Sequence, residues 1–264
     1  MTRTFAIANQ KGGVGKTTTC VNLAASLAAT RKKVLLVDLD PQGNATMGSG
    51  IDKNSLDLSI YEVLVGSCTA EQALVYSETG DFSVLPANGD LTAAEVEMLE
   101  LSAKERRLRE ALGSLDGRFD YIIVDCPPSL NMLTVNALVA CDGVIIPMQC
   151  EYYALEGLSA LVNTINQIQA VLNPGLRIEG ILRTMYDPRN SLTNDVSAQL
   201  TSYFDDRLYR TCVPRNVRLA EAPSFGQPAL VYDRQSKGAI AYLALAGEIL
   251  RRHEAAQVNE TVQA

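Results

Sequence analysis

A glycine-rich stretch between a predicted strand and a predicted helix constrains this chain more than any other feature. Residues 4–8 (TFAIA) are an apolar run typical of a short buried strand, and residues 20–28 have the apolar face of a helix. Between them lies NQKGGVGKTTT, residues 9–19. Glycines let such a loop approach a ligand closely, and its N–H groups direct partial positive charge at an anion. The stretch therefore predicts a phosphate-binding site after the first strand.

Two residues of this loop have expected roles in phosphoryl chemistry. Lys16 is expected to contact the β- and γ-phosphates of a nucleotide, and the hydroxyl of Thr17 is expected to bind Mg²⁺. The ordinary P-loop pattern, G-x-x-x-x-G-K-[ST], needs glycine at position 10, where this chain has Gln10 followed by an additional Lys11. A glycine-rich turn with chance lysines is the competing interpretation. It is disfavoured because three glycines, two lysines and a hydroxyl run lie together between a strand and a helix.

Carboxylates end two further apolar runs. Residues 33–38 end in Asp38 and continue to Asp40, and residues 119–125 end in Asp125. Unbroken apolar runs are typical of buried parallel strands, and open α/β sheets bind ligands at the carboxyl ends of their strands. We therefore expect Asp125 to hold Mg²⁺ directly or through water, with Asp38 and Asp40 near the phosphates. For each aspartate alone, a turn cap is the alternative.

The order of the predicted elements indicates an α/β fold. Strands alternating with helices predict a single P-loop NTPase domain over residues 1–254, with a mostly parallel twisted sheet flanked by helices on both faces. Residues 255–264 are predicted to be a polar, disordered tail. The 264 residues, 47% of them hydrophobic, suffice for one domain with a sizeable core.

Charge, cysteine usage and hydropathy exclude several classes of protein. The net charge of −7 argues against coating nucleic acid through bulk charge but leaves a local basic patch possible. Six cysteines without a C-x-x-C pair do not indicate a zinc site or a disulfide scaffold. A core strand close to the N-terminus and the lack of a membrane-length apolar run predict a cytoplasmic protein without a signal peptide.

Five motifs spread over nearly the whole chain resemble the ParA/Soj chromosome-partitioning ATPases, a branch of the deviant Walker A (ParA/MinD) superfamily. They are residues 11–18 (KGGVGKTT), 37–44 (VDLDPQGN), 125–129 (DCPPS), 149–157 (QCEYYALEG) and 214–224 (PRNVRLAEAPS). The first motif alone would indicate only the superfamily, and the later ones point to the ParA/Soj branch. The resemblance implies an ATPase that uses ATP and Mg²⁺.

The resemblance also implies roles for residues at matching positions. Nucleotide contacts are implied for Lys11, Gly12, Gly13, Val14, Gly15, Lys16, Thr17, Thr18, Pro214 and Asn216. Asp40 would position the attacking water, so that Lys11, Lys16 and Asp40 form the implied catalytic set. Lys11 would reach the partner's nucleotide in an ATP-dependent homodimer, and Thr17, Asp38 and Asp125 would surround Mg²⁺. Arg189, Arg215 and Arg218 would contact non-specific DNA. Ordinary surface arginines are the alternative, and Arg215 could serve the nucleotide pocket instead.

The expected function is an ATP-dependent dimerising switch for chromosome or plasmid segregation. It would bind nucleoid DNA non-specifically and hydrolyse ATP slowly until a ParB-like partner stimulates it. The alternatives are a ParA-like ATPase that positions another cargo, such as a chemotaxis array or a carboxysome, and a MinD-like membrane ATPase. A metabolic enzyme of the superfamily, such as a ligase or the nitrogenase iron protein, is a further one. The polar C-terminal segment disfavours the membrane alternative, and no N-terminal operator-binding module is expected.

Overall fold

The computed structural model describes residues 2–263 of the chain, with side chains through residue 256. Within the described residues the strands are β1 (Arg3–Ile7), β2 (Val34–Asp38), β3 (Val75–Ser77), β4 (Phe82–Leu85), β5 (Tyr121–Asp125), β6 (Gly143–Gln149), β7 (Arg177–Tyr186) and β8 (Leu208–Pro214). The α-helices are α1 (Lys16–Ala28), α2 (Asn44–Gly48), α3 (Ile60–Val65), α4 (Leu91–Glu97), α5 (Arg107–Gly113), α6 (Met132–Ala140), α7 (Ala154–Val171), α8 (Ser191–Phe204), α9 (Val217–Glu221), α10 (Ala229–Tyr232) and α11 (Lys237–Gln263). Short 3₁₀ helices cover Lys53–Ser55, Met98–Glu100, Lys104–Arg106, Asp205–Arg207 and Ala222–Phe225.

The strands form a single sheet in the order β3-β4-β2-β5-β1-β6-β7-β8. Neighbouring strands run parallel except β3 and β4, which pair antiparallel at one edge. The chain leaves the central β1 for β2 on one side and later returns to β6 on the other. A crevice therefore opens at the carboxyl end of β1, where ligands bind in sheets of this kind. The predicted fold, a mostly parallel sheet with helices on both faces, is confirmed.

Two apolar layers cover the two faces of the sheet. In β1, Phe5 and Ile7 pack into the layer that includes α1 and α11, whereas Ala6 packs into the layer that includes α3 to α8. Successive strand residues point to opposite faces, so a strand covered on both sides must be apolar throughout. Burying one large apolar side chain contributes about 1.5–3 kcal/mol. Both layers thus hold rigid the strand from which the glycine loop emerges.

Two short elements near the sheet edge were not predicted. The sequence indicates only one short helix and polar connections in residues 48–80, but β3 lies there, and α2 ends there. β3 has three residues, which is too few to show an alternating apolar pattern, and it forms by pairing with β4. The long helix predicted from Glu151 begins at Ala154 instead, because a turn occupies the residues after β6.

The C-terminal helix is longer than the sequence indicates. It was expected to end near Glu254, but α11 continues to Gln263, while Ala264 lies outside the described residues. Residues 255–263 (AAQVNETVQ) contain neither glycine nor proline, so nothing in the sequence stops the helix there. The division into a domain and a separate tail stays a prediction.

Candidate functional site at the carboxyl edge of the sheet

The glycine loop leaves backbone groups open to a ligand. Gly13 and Gly15 have φ angles of +73° and +90°, in the left-handed region that favours glycine. A Cβ built on Gly13 would meet no atom within 4 Å, so the loop faces open space there. Gly15 is the N-cap of α1 and supplies no side chain to the first N–H groups of that helix. These donors are available to an anion, which is the arrangement that a bound phosphate needs.

The two loop lysines occupy different environments. Lys16 is buried, and its Nζ donates a hydrogen bond to the Lys11 carbonyl at 3.2 Å. Among the described residues no carboxylate forms an ion pair with Lys16. A buried charge without a counter-ion is unfavourable, and an anionic ligand would satisfy it. The Lys11 side chain instead extends over the surface, where its Nζ forms an ion pair with Glu151.

Asp38 and Asp125 lie side by side at the ends of β2 and β5, where they are register partners. Both are completely buried. Burial raises the pKa of Asp38 to about 6. Burial, and then the neighbouring charge of Asp38, raise the pKa of Asp125 to about 8, although the side chains of Thr17 and Cys20 act in the opposite direction. A cation placed beside this pair would favour its ionised form.

The two aspartates differ in how their oxygens are used. Asp38 accepts a hydrogen bond from the Asp40 N–H at 3.1 Å and two more, each 2.8 Å, from the N–H and hydroxyl of Thr46. Asp125 Oδ1 accepts a hydrogen bond from Cys20 Sγ at 3.3 Å, and no group among the described residues hydrogen-bonds its buried Oδ2. Asp38 therefore organises the following loop, whereas Asp125 keeps one oxygen available to Mg²⁺ or a water bound to it. The residues present fit the ion.

Asp40 sits in a tight turn directly after β2. Its Oδ1 accepts a hydrogen bond from the Gln42 N–H at 3.0 Å, and its carbonyl accepts one from the Gly43 N–H at 2.8 Å. Gly43 has a φ of +62°, and a Cβ there would lie 2.7 Å from the Ala87 carbonyl oxygen. Only glycine fits this position without strain. The turn therefore fixes the half-buried carboxylate of Asp40 at the same edge as the glycine loop.

A cavity of about 180 Å³ lies beside the start of α1. Its lining residues are Gly15, Thr18, Thr184, Met185, Val213, Pro214, Arg215, Asn216, Leu219, Ala220 and Tyr242. The structure thus brings together four of the predicted nucleotide-binding residues that are distant in sequence, and it adds Arg215. Apolar walls next to a phosphate loop suit a nucleotide base. A larger groove of about 930 Å³ between β8 and α11 contains none of the predicted site residues.

Sequence reasoning missed several residues that shape this cavity. Thr184 Oγ1 donates a hydrogen bond of 2.8 Å to the carbonyl of Val14, which ties β7 to the glycine loop. The next residue, Met185, has a φ of +48°, an unfavourable backbone conformation of the kind found at ligand sites. Tyr242 and Thr19 share a hydrogen bond of 3.0 Å between their hydroxyls. Thr184, Met185 and Tyr242 lie outside the glycine and aspartate motifs, so no local signal marks them.

The predicted DNA-contacting arginines lie near the same edge. β7 and β8 are neighbours, with Tyr186 opposite Pro214, so the loops that follow them leave the sheet side by side. Arg189 is exposed and donates hydrogen bonds of 2.9 and 2.8 Å to Asp187. Arg218 forms ion pairs with Glu221 at 2.8 Å and Asp233 at 3.3 Å. Both charges are therefore partly neutralised by carboxylates on the same surface.

Comparisons with known proteins identify the family of the chain. A family model described as an AAA domain matches residues 2–178. The chain is 52% identical over 250 residues to the chromosome partitioning protein ParA of Myxococcus xanthus, covering 95% of this chain and 88% of that protein. It is 51% identical to the sporulation initiation inhibitor protein Soj of Bacillus subtilis, covering 94% and 98% of the two chains.

A solved structure links the same fold to a bound nucleotide. It is described as cobyrinic acid a,c-diamide synthase from Mycobacterium smegmatis with bound ADP and magnesium, and it is 41% identical with a TM-score of 0.85 over 97% of each chain. ATP and Mg²⁺, the predicted ligands, are consistent with it. In the part of the chain that the structure describes, no helix has both the length and the apolar character needed to cross a membrane. The chain belongs to the ParA/Soj family of chromosome-partitioning ATPases, with the ATP-binding P-loop that its sequence predicts.

Proposed function

We propose that this protein is an ATP-dependent dimerising switch that binds DNA non-specifically and hydrolyses ATP when a ParB-like protein stimulates it. Its biological role would be chromosome or plasmid segregation on the nucleoid, in the cytoplasm. The observation that carries the proposal is the separation of the two loop lysines. Lys16 is buried in its own phosphate loop, whereas Lys11 lies on the surface in an exposed ion pair with Glu151, where a second subunit could reach it.

The site has the parts needed for hydrolysis of ATP to ADP and phosphate. The loop N–H groups and Lys16 would hold the β- and γ-phosphates, and Mg²⁺ bound near Thr17 and Asp125 would neutralise charge on them. Asp40 would orient a water whose oxygen attacks the γ-phosphorus while the bond to the ADP oxygen breaks. The water's protons end on phosphate and in solvent. Positioning alone gives a slow reaction, since an additional cation supplied at the transition state is worth about 10³–10⁵ in rate.

Lys11 is the cation that a partner subunit would supply. Its ion pair with Glu151 is half exposed, so breaking it costs only about 0–1 kcal/mol. The residues after Glu151, Tyr152 and Tyr153, are 74% and 71% exposed beside this pair. Exposed aromatic side chains of this kind are enriched at protein interfaces. A second subunit facing this edge would bury them and bring a nucleotide phosphate to Lys11 in place of Glu151.

Dimerisation would also explain how an acidic protein binds DNA. One subunit offers Arg189, Arg215 and Arg218, and two of these three are held by carboxylates. A dimer doubles the number of phosphate contacts, and each contact steepens the salt dependence of binding by about 0.9 in log–log slope. ATP would therefore control DNA binding by controlling the oligomeric state.

Sedimentation of the Asp40→Ala variant tests these steps together. We expect a dimer with ATP, a monomer with ADP, and a salt-sensitive complex when duplex DNA of arbitrary sequence is added to the ATP form. An Asp40→Ala, Arg189→Glu, Arg218→Glu variant should dimerise with ATP yet lose the DNA complex. A monomer under every condition would refute the switch, and a dimer that ignores DNA would refute the DNA-binding role.

The solved relative described as a diamide synthase supplies a specific second candidate, an ATP-dependent amidation of carboxyl groups. Turnover measurements discriminate the two. An amide synthase would need a carboxylic acid substrate and an ammonia donor before it consumed ATP. The proposed switch should instead show weak turnover alone, raised by a ParB-like protein together with DNA.

A further inference from the structure

The thiol of Cys20 makes a contact that none of the assigned roles explains. Cys20 is completely buried in the first turns of α1, and its Sγ lies 3.3 Å from Asp125 Oδ1. Thr17 is three residues earlier in the same helix, so both side chains project from one helix face. A predicted Mg²⁺ ligand and a thiol therefore lie on the face of α1 that is directed at the end of β5.

This contact makes the two carboxylate oxygens of Asp125 unequal. One oxygen accepts a hydrogen bond from the thiol, and the other, Oδ2, is buried and has no hydrogen-bond partner within the part of the chain that the structure describes. A buried carboxylate oxygen left unpaired costs free energy unless a ligand supplies the partner. Mg²⁺ keeps several waters when it binds proteins and uses only one or two carboxylates, so it can satisfy such an oxygen directly or through water.

We propose that Cys20 is a positioning residue for the Mg²⁺·nucleotide complex: its S–H group holds Asp125 Oδ1 and thereby leaves Oδ2 for the ion or its bound water. Cys20 acts through Asp125 and touches neither nucleotide nor ion. Partners that orient a metal-binding carboxylate commonly change metal affinity when they are removed. The proposal rests on the magnesium site alone and is independent of dimerisation and DNA binding.

The test compares nucleotide binding with and without Mg²⁺. The affinity of the full chain for a fluorescent ADP analogue is measured with excess Mg²⁺ and with EDTA, and Mg²⁺ is titrated at fixed nucleotide. Because a hydrogen bond to a charged acceptor is involved and a thiol is a weak donor, we expect Cys20→Ala to weaken Mg²⁺-dependent binding about three- to tenfold. Binding in EDTA should not change.

Three further variants separate positioning from packing. Cys20→Ser keeps a donor and should restore binding to within about twofold of the original protein. Cys20→Val fills the space of the thiol without a donor, so it should behave as Cys20→Ala even if the alanine variant is too unstable to measure. Cys141→Ala removes another buried thiol, which packs in the apolar layer on the opposite face of the sheet from Cys20, and it should leave both affinities unchanged.

Two results would overturn the proposal. Equal losses with Mg²⁺ and with EDTA would show that Cys20 contributes only to packing. Full Mg²⁺ affinity in Cys20→Val would show that Asp125 needs no donor. Either result would leave the proposed ATP-dependent dimer and its DNA binding intact, since neither property is measured here.

Discussion

Binding of the Mg²⁺·nucleotide complex should release a proton from Asp125 near neutral pH. Burial and the adjacent Asp38 raise the pKa of Asp125 to about 8 in the ion-free protein. Mg²⁺ binds the ionised carboxylate, so a protonated Asp125 must lose its proton when the ion arrives. Because its pKa is raised, most molecules carry this proton at pH 7, and the protonated fraction falls as the pH rises to 9. The number of protons released per bound Mg²⁺·nucleotide should therefore fall from about one to almost none as the pH rises from 7 to 9.

Calorimetry in buffers of different ionisation enthalpy measures directly how many protons are released on binding. Preformed Mg²⁺·ADP is titrated into the protein at pH 7, 8 and 9, a range above the phosphate pKa of about 6, so that the nucleotide itself contributes little. Asp125→Asn, which cannot ionise, is the matched variant and should release almost no proton at any of these pH values. Absence of proton release at pH 7, or equal release from Asp125→Asn, would refute the assignment of a raised pKa to Asp125.

Three substitutions test other parts of the site. Gly43→Ala places a Cβ within 2.7 Å of a backbone carbonyl oxygen and should displace the turn that carries Asp40. We expect the rate of ATP hydrolysis, measured as phosphate produced, to fall at least about tenfold. Gly89→Ala is the control, because a Cβ there meets open space. Thr184→Val removes the hydrogen bond to the glycine loop and should weaken nucleotide binding about two- to tenfold in a fluorescence titration. Glu151→Gln frees Lys11 and should raise the ATP-dependent dimer fraction in sedimentation at unchanged thermal stability; a lower fraction would contradict the role given to this ion pair.

The site elements that are continuous in sequence could be predicted because their signal is local. The glycine loop needs only a strand before it and a helix after it, and both were placed within a few residues of β1 and α1. Asp38 and Asp125 were placed correctly at strand ends because a buried parallel strand is apolar along its whole length and a carboxylate marks where it stops.

Elements that depend on contacts between distant segments were harder to predict. β3 forms because it can pair with the edge of β4. Its own three residues carry no pattern that predicts this pairing. The cavity beside the start of α1 is formed by β7, β8, α1, α9 and α11 together, so Thr184 and Met185 carry no motif of their own. α11 continues past Glu254 to Gln263, since polar composition alone does not end a helix that has no glycine or proline.

The sequence by itself determined the family, the fold class and the identity of the phosphate loop, because each depends on motifs and apolar patterns formed by residues close together in the chain. Only the tertiary structure decided how the polar atoms at the carboxyl edge share their hydrogen bonds. Asp38 and Asp125 look alike in sequence, yet Asp38 accepts hydrogen bonds from Thr46 and Asp40 with both oxygens, whereas Asp125 has one buried oxygen without a partner among the described residues. That difference depends on which donors the packing of β2, β5 and α1 brings within reach, because hydrogen bonds are decided by distances of a few tenths of an ångström.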